Sequence, residues 1–219
     1  MRHSLLSLVA VLFLANPAFA QEPSSSWRAG VALSRTQVRF EPTYFVAGDP
    51  PQTFIDREAG WQGDVVAGWR QAITDRVSLG YQGLLTVSDN AWSLFVPEEP
   101  AHLEYSIPYT IAAIVAPAIR VAPGVGVFAE VGVGAGRVKE LKSSPVMSSY
   151  DYDEMRAALI VGLGAAFTVT DRADLVVTYR HARYAGFEYD TFGPGGAALE
   201  HVEDIPRTHG VSFGFTVGF

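Results

Sequence analysis

The chain has 219 residues, of which 48% are hydrophobic and 18% are charged, and it carries a net charge of −7 and no cysteine. This length suits one domain of ordinary size. The negative charge argues against a nucleic-acid partner, because phosphate binding needs a basic surface. The lack of cysteine excludes disulfides and thiolate metal ligands.

The first twenty residues have the organisation of a cleaved signal peptide. Arg2 makes the start basic, an apolar run follows from Leu5 to Ala15, and Ala18-Phe19-Ala20 supplies the small residues before a cleavage site. The apolar run is too short for a membrane-spanning helix, which needs about 20 residues. We therefore predict a signal peptide over residues 1–20 and one mature domain over residues 21–219.

Eight later segments share one alternation of side chains, with large apolar residues at odd positions and glycine or polar residues at even ones. They lie near residues 27–39, 60–70, 76–87, 104–120, 125–138, 155–169, 174–185 and 207–219. This period and length are typical of transmembrane β-strands. The fourth segment is the least regular, because Ala112 and Ile114 fall on its even side.

The even face separates a membrane barrel from a soluble β-sandwich, which is the alternative for an alternating pattern. A sandwich turns Lys, Glu and Thr to water, whereas this face is rich in glycine. Glycine weakens a strand unless its neighbours need the room, and the inside of a narrow eight-stranded barrel supplies that reason. The glycines are Gly30, Gly68, Gly80, Gly126, Gly132, Gly134, Gly136, Gly162, Gly164, Gly210, Gly214 and Gly218.

The connections alternate in length as they do in outer-membrane barrels. Residues 71–75, 122–124 and 170–172 read as tight turns, and residues 41–59, 88–103, 139–154 and 186–206 as long loops. Short periplasmic turns and long outside loops are typical of such barrels. The sequence thus predicts an all-β fold: an eight-stranded antiparallel transmembrane up-and-down β-barrel.

The last segment carries a resemblance to a known family. Phe213, Phe215, Val217 and Phe219 form an apolar row that ends in an aromatic residue, as in the terminal strand of outer-membrane proteins. With Tyr179-Arg180, the mature chain resembles the small eight-stranded surface barrels, which include opacity-type proteins and the transmembrane domain of outer membrane protein A. The resemblance implies a multi-pass location in the bacterial outer membrane and recognition by the barrel-assembly machinery.

Charged residues on the even face predict a polar network in the barrel lumen. A charge buried there must be paired, and eight strands leave no wide channel. We expect a polar plug, with a gated ion path as the alternative. The candidates are Arg28, Asp64, Arg70, Arg76, Glu104, Arg120, Glu130, Arg156 and Arg180.

Four basic residues on the odd face lie toward the outer ends of their strands: Arg35, Arg137, Arg183 and His209. Charges on the lipid side are tolerated near the interface, so we predict that they snorkel and contact lipopolysaccharide phosphates. The loops are rich in acids, which predict a solvated, repulsive rim. They are also rich in aromatics, which favour an extracellular ligand, with packing of the loops together as the alternative.

The sequence gives little support for nucleotide binding or catalysis. Gly132–Arg137 lacks the spacing of a phosphate-binding loop. A lipid A-modifying hydrolase needs Ser and His within hydrogen-bond reach, but His209 and Ser212 differ in parity. We predict a non-enzymatic surface barrel without cofactor or metal. Its predicted roles are envelope integrity and loops available for adhesion or antigenic display; its predicted partners are outer-membrane lipid, lipopolysaccharide and a loop-bound ligand. A narrow pore and the hydrolase stay open as alternatives.

Overall fold

The computed structural model describes residues 25–46, 50–53, 56–89, 91–96, 101–143, 150–192 and 198–219, so the predicted signal peptide lies outside the described residues. The strands are β1 Ser26–Phe40, β2 Thr43–Val46, β3 Gln52–Thr53, β4 Asp56–Ala72, β5 Val77–Ser88, β6 Ala91–Val96, β7 Ala101–Ala122, β8 Val125–Ser143, β9 Tyr150–Thr170, β10 Ala173–Tyr184, β11 Phe187–Phe192, β12 Ala198–Asp204 and β13 Arg207–Gly218. None of the described residues forms a helix long and apolar enough to span a membrane.

Eight of these strands close into a ring. They are hydrogen-bonded in the order β5-β4-β1-β13-β10-β9-β8-β7, and β5 also pairs with β7. Every pairing around the ring is antiparallel. The predicted up-and-down barrel is confirmed, and the soluble sandwich is excluded, because a sandwich has two sheets with open edges.

The two faces of the wall follow the predicted parity over the membrane-spanning part. Val131 and Leu163 are 56% and 66% exposed on the outside, whereas their neighbours Gly132 and Gly162 are buried. Large apolar side chains are unfavourable on a surface that faces water but favourable on one that faces lipid. The outer face therefore fits contact with the membrane.

The strands β7, β8 and β9 are far longer than a membrane requires. They have 22, 19 and 21 residues, where a tilted transmembrane strand needs about 9–11. Much of the predicted loops 88–103 and 139–154 is therefore strand. Residues there pair with residues of the neighbouring wall strands: Glu140 of β8 lies opposite Tyr105 of β7 and Tyr152 of β9. This part of the wall rises well above the lipid.

A second, four-stranded sheet stands above the rest of the rim. Its order is β11-β12-β2-β3, and each of its strands adjoins in sequence a strand of the wall β10-β13-β1-β4. The ladder is interrupted between the two sheets at Pro42 and Pro206, because proline has no N–H to donate. The predicted loops 41–59 and 186–206 thus contain a sheet of their own.

The interior of the barrel has an apolar outer half. We call its buried side chains the apolar plug: Val38, Phe40, Leu84, Tyr105, Ile107, Ala112, Ile114, Val138, Ala158, Ile160, Ala182, Tyr184 and Phe187. The rings of Phe40 and Tyr105 lie 4.8 Å apart, and the Tyr184 hydroxyl is 2.7 Å from that of Thr110. The sequence predicts a polar plug, and the structure corrects that prediction for this half of the lumen.

A bulge in β7 explains why two side chains predicted to face lipid lie in this plug. The register with β8 shifts between Ser106 and Tyr109, around Pro108, which cannot donate to the ladder. One extra residue inverts the parity beyond it. Tyr105 and Ile107 therefore point inward, with exposures of 0% and 2%.

The last strand, β13, closes the ring between β1 and β10. The Phe219 amide donates to the Trp27 carbonyl over 3.0 Å, and its side chain is 75% exposed on the outside. Deleting Phe219 should leave export of the precursor intact and reduce the amount of assembled barrel, as measured by heat-modifiable migration on gels. Phe219→Tyr is the matched control and should assemble normally. Equal amounts of folded barrel from the deletion and the wild type would contradict this prediction.

Candidate functional site

Three charged side chains meet in the middle of the barrel. Arg180 of β10 donates through Nε to Glu130 Oε2 over 2.9 Å, through Nη2 to Glu130 Oε1 over 3.2 Å, and through Nη1 to Asp64 Oδ2 over 2.7 Å. Glu130 and Asp64 are 4% and 3% exposed. Gln62 also donates to Asp64, over 2.8 Å. One forked guanidinium thus ties β4, β8 and β10 together, as its planar geometry allows.

A second cluster lies nearer the short turns and centres on Asp174, which sequence reasoning missed. Asp174 is buried and forms an ion pair with Arg28, and its Oδ2 lies 3.7 Å from Arg70 Nη1. Thr168 donates to it over 3.0 Å. Asp174 is an even-numbered residue at the start of the predicted strand 174–185. That position could have identified it as a residue of the lumen.

The remaining lumen candidates do not join these clusters. Arg76 and Arg120 are exposed, because they lie at the turn-side ends of their strands, where water reaches the side chain. Glu104 lies beyond the β7 bulge, which turns it to the face opposite the buried Tyr105. Arg156 lies at the outer rim, where it pairs with Glu154 at 3.0 Å and covers the ring of Tyr152 at 5.2 Å.

Cavities lie beside the charged groups inside the described part of the barrel, and two of them adjoin Arg180. The larger, of about 70 Å³, adjoins Arg28, Arg70 and Arg180. The smaller, of about 20 Å³, lies between Arg180 and the apolar plug. A cavity needs at least about 10–15 Å³ to hold a water molecule, so the larger has room for several waters and the smaller for about one.

The outer wall carries the four basic residues predicted to meet lipopolysaccharide. Arg35 lies over the ring of Trp61 at 5.4 Å, and Arg183 is exposed. His209 lies beside His181, with ring centroids 6.5 Å apart. Arg137 is already paired, since it donates to both carboxylate oxygens of Asp153 over 2.6 and 2.5 Å.

The second sheet holds two titratable groups with displaced pKa values. The hydrogen bond to Asp190 raises the pKa of His201, which lies 2.9 Å from that carboxylate. Burial raises the pKa of Asp204 to about 7, although its Oδ1 accepts the Glu41 amide over 2.9 Å. Asp204 thereby links β12 to the segment between β1 and β2.

Asp204→Asn should remove a step in the dependence of stability on pH. The folded pKa of Asp204, about 7, exceeds the ordinary 3.8. The folded state therefore binds this proton more tightly, and its contribution favours folding at acid pH and is lost as the pH rises through about 7. Wild type should thus lose stability relative to the variant between about pH 4 and pH 7, measured as thermal unfolding in one detergent. Parallel profiles would show that Asp204 does not titrate in this window.

The predicted obstacle to lipid A hydrolysis is visible in the geometry. Ser212 is buried, and its hydroxyl donates to the Thr178 carbonyl over 3.2 Å on the inner side. His209 stands on the outer side, three residues away. Within the described residues, no group of three or more His, Asp or Glu side chains could hold a metal ion.

Comparisons with known proteins agree with the barrel. The chain matches the outer membrane protein beta-barrel domain over residues 6–219. No curated protein matches it in sequence. Among solved structures, Neisserial surface protein A is 15% identical, with 90% of this chain and 99% of that chain covered and a TM-score of 0.50. The outer membrane protein OprG from Pseudomonas aeruginosa is 9% identical, with the same coverage and a TM-score of 0.52.

The outer membrane protease OmpT from Escherichia coli also matches, at 10% identity over 92% of this chain and 99% of that chain, with a TM-score of 0.41. Likeness at these identities shows the fold alone. The family match covers nearly the whole chain and agrees with the closed ring and its apolar outer face. The chain therefore belongs to the outer membrane protein beta-barrel family and resides in the bacterial outer membrane.

Proposed function

We propose that the protein is a non-enzymatic, non-conducting surface barrel that contributes to the integrity of the outer membrane and presents its extracellular strands for adhesion or antigenic display. The observation that supports this proposal is the apolar plug. Val38, Phe40, Tyr105, Val138 and Ile160 are each at most 1% exposed. An apolar constriction excludes water, and ions do not cross a dewetted path.

The part of the barrel outside the membrane supports the presentation role. The strands β7–β9 continue beyond the lipid, and the sheet β11-β12-β2-β3 adds an ordered surface at the rim. Phe45 on this sheet is 36% exposed and lies 5.9 Å from the His201 ring. Aromatic residues at an accessible surface favour partner binding.

The narrow pore is the alternative, and planar bilayer recordings separate it from the proposal. The purified barrel should give no stepwise conductance under conditions in which a porin, inserted by the same procedure, conducts. Reproducible steps from the wild-type barrel would establish the pore and overturn the non-conducting role.

Two further measurements test the other parts of the proposal. Lipid A from cells with and without the protein should have the same mass spectrum, and loss of an acyl chain would show an enzyme. Cells that express the barrel should adhere to matrix-coated surfaces more than cells in which residues 188–203 are replaced by a short turn. Equal adhesion by both strains would remove the presentation role of the second sheet.

A further inference from the structure

The second sheet, β11-β12-β2-β3, meets the barrel at a break in the hydrogen-bonded ladder. The break lies at the buried Pro42 and Pro206, neither of which has an N–H to donate. Near it, the Tyr184 amide donates to the Pro206 carbonyl over 3.0 Å, and the Ala185 amide donates to the Ala157 carbonyl over 2.7 Å. The sheet can therefore open as a unit above the break while the closed ring below it stays intact.

Apolar side chains hold the sheet against the barrel. Val202 of β12 and Phe187 of β11 are 0% and 2% exposed. The Phe187 ring stacks on that of Tyr152 of β9, with centroids 5.0 Å apart, and Phe187 belongs to the apolar plug. The inner face of the sheet thus covers the outer end of the plug, and opening it exposes apolar surface to water.

Asp204 stands on this inner face, at the end of β12 beside the break. It is 2% exposed and lies opposite Phe187 of β11. Its Oδ1 accepts the Glu41 amide over 2.9 Å, which joins β12 to the segment between β1 and β2. Among the described residues, no Arg, Lys or His forms an ion pair with it. A carboxyl group buried in this way favours its neutral, protonated form.

The groups that face Asp204 from the neighbouring elements only partly offset its burial. Burial raises the pKa of Asp204 to about 7, the amide hydrogen bonds of Glu41 and Ile205 oppose that rise, the Glu41 carboxylate adds to it and Arg207 of β13 opposes it. Arg207 is shared, because its Nη2 lies 3.6 Å from Glu41 Oε2, and Glu41 also forms an ion pair with Arg39 of β1. The one cation near Asp204 is thus partly neutralised by another acid.

We infer that the second sheet is a lid over the apolar plug, held shut at acid pH by the protonated Asp204 and released as that carboxyl group ionises. In the open lid, water solvates the carboxylate, so ionisation favours opening. The closed lid binds the proton more tightly than the open one. The proton's contribution to closure is therefore complete below about pH 4 and lost by about pH 7. The inference goes beyond the proposed presentation role, because opening is a property of the sheet whether or not a partner binds it.

The test is hydrogen exchange of the whole mature barrel in lipid nanodiscs, measured by mass spectrometry between about pH 4 and pH 8. Each rate is divided by the intrinsic exchange rate at that pH, so that the ratio reports opening. For residues 198–204 of β12, the ratio should rise about tenfold per pH unit between about pH 4 and pH 7 and then level off, because opening releases one proton. Residues 208–217 of β13 have partners on both sides in the ring and should show no such rise.

Asp204→Asn should make the ratio for β12 independent of pH, because the amide keeps an acceptor for the Glu41 N–H but does not ionise. Glu203→Gln is the matched control. Glu203 is the preceding residue and is exposed, so the loss of its charge should leave the pH dependence intact. Asp204→Ala is a second variant. It should open more at every pH but with no pH dependence, so the result does not depend on how well asparagine fits.

Four outcomes would overturn the inference. The first is a wild-type ratio that does not change with pH, and the second is a pH dependence that persists in both Asp204 variants. The third is an equal rise in β13, which would show unfolding of the whole barrel. The fourth is loss of the dependence in His201→Gln, which would assign the trigger to the imidazole beside Asp190. Heat-modifiable migration shows that each variant is folded. Conductance, lipid A mass and adhesion are separate readouts, so a failure of the proposed function can be told from a failure of this lid.

Discussion

Replacing Arg180 with methionine is expected to lower the free energy of unfolding by about 3–5 kcal/mol, the usual cost of removing one partner from a buried charged pair. The reason is that Arg180 binds both Glu130 and Asp64 in the middle of the barrel. Without it, two buried carboxylates face each other and lose three hydrogen bonds. Urea unfolding in lipid vesicles, followed by tryptophan fluorescence, measures the loss.

Arg120→Met is the matched control for this prediction. Arg120 has the same even parity but is exposed near the turn, so its replacement should change stability by no more than about 0.5 kcal/mol. Similar losses for the two variants would mean that the change is due to the methionine and not to the ion cluster. A negligible loss for Arg180→Met would show that water solvates Glu130 and Asp64.

Val131→Arg should cost roughly 2–4 kcal/mol, because it places a charge on the lipid face near the middle of the membrane. Val131 is 56% exposed on the outside of β8 and pairs with Val115 and Val161 of the neighbouring strands. Unfolding in urea from the same lipid vesicles measures the effect. Leu141→Arg is the control, since Leu141 also faces outward on β8 but stands ten residues further along the strand, opposite Glu104, and it should be nearly neutral because the new charge meets an acid.

Spin labels test the same face assignment without a charge. A label at Val131 or Leu163 should meet lipid-soluble oxygen readily, and the chain has no native cysteine to interfere. A Cβ at Gly132 would lie 2.7 Å from the Ala113 carbonyl oxygen, and one at Gly164 would lie 2.3 Å from Phe128 Cζ, so labels there should perturb folding. Greater oxygen access at an inward position would invert the assignment of faces.

Most of the fold could be predicted because the period of two is a property of each strand by itself. Apolar residues at every second position and the predicted tight turns at residues 71–75, 122–124 and 170–172 determine the strand number and the meander. The structure has these turns at residues 73–76, 123–124 and 171–172. The β7 bulge could not be predicted, since a bulge depends on which partner each backbone group finds. Pro108 marks the place, but its effect on Tyr105 appears only once β8 is beside it.

The sequence predicts which face of the wall the charged side chains occupy, but it does not predict which of them bind one another. Parity placed Arg180, Glu130 and Asp64 on the inside, yet the contacts depend on the stagger of strands that are up to 116 positions apart in sequence. Four arginines on the outer wall illustrate the same limit. Arg39 ends one predicted strand, Arg207 begins another and Arg57 falls in a predicted loop. Only the registers of three strand pairs bring them into line with Arg183.

The break at Pro42 and Pro206 separates two hydrogen-bonded systems that share one chain. Below it, the register of each barrel strand is held by two neighbours in a closed circuit, so a residue inserted there shifts every side chain beyond it to the opposite face. Above it, a hairpin can lengthen or shorten without disturbing that circuit. The rim is therefore the natural place to graft a foreign epitope or a recognition peptide, with the ring beneath it serving as an unchanged frame.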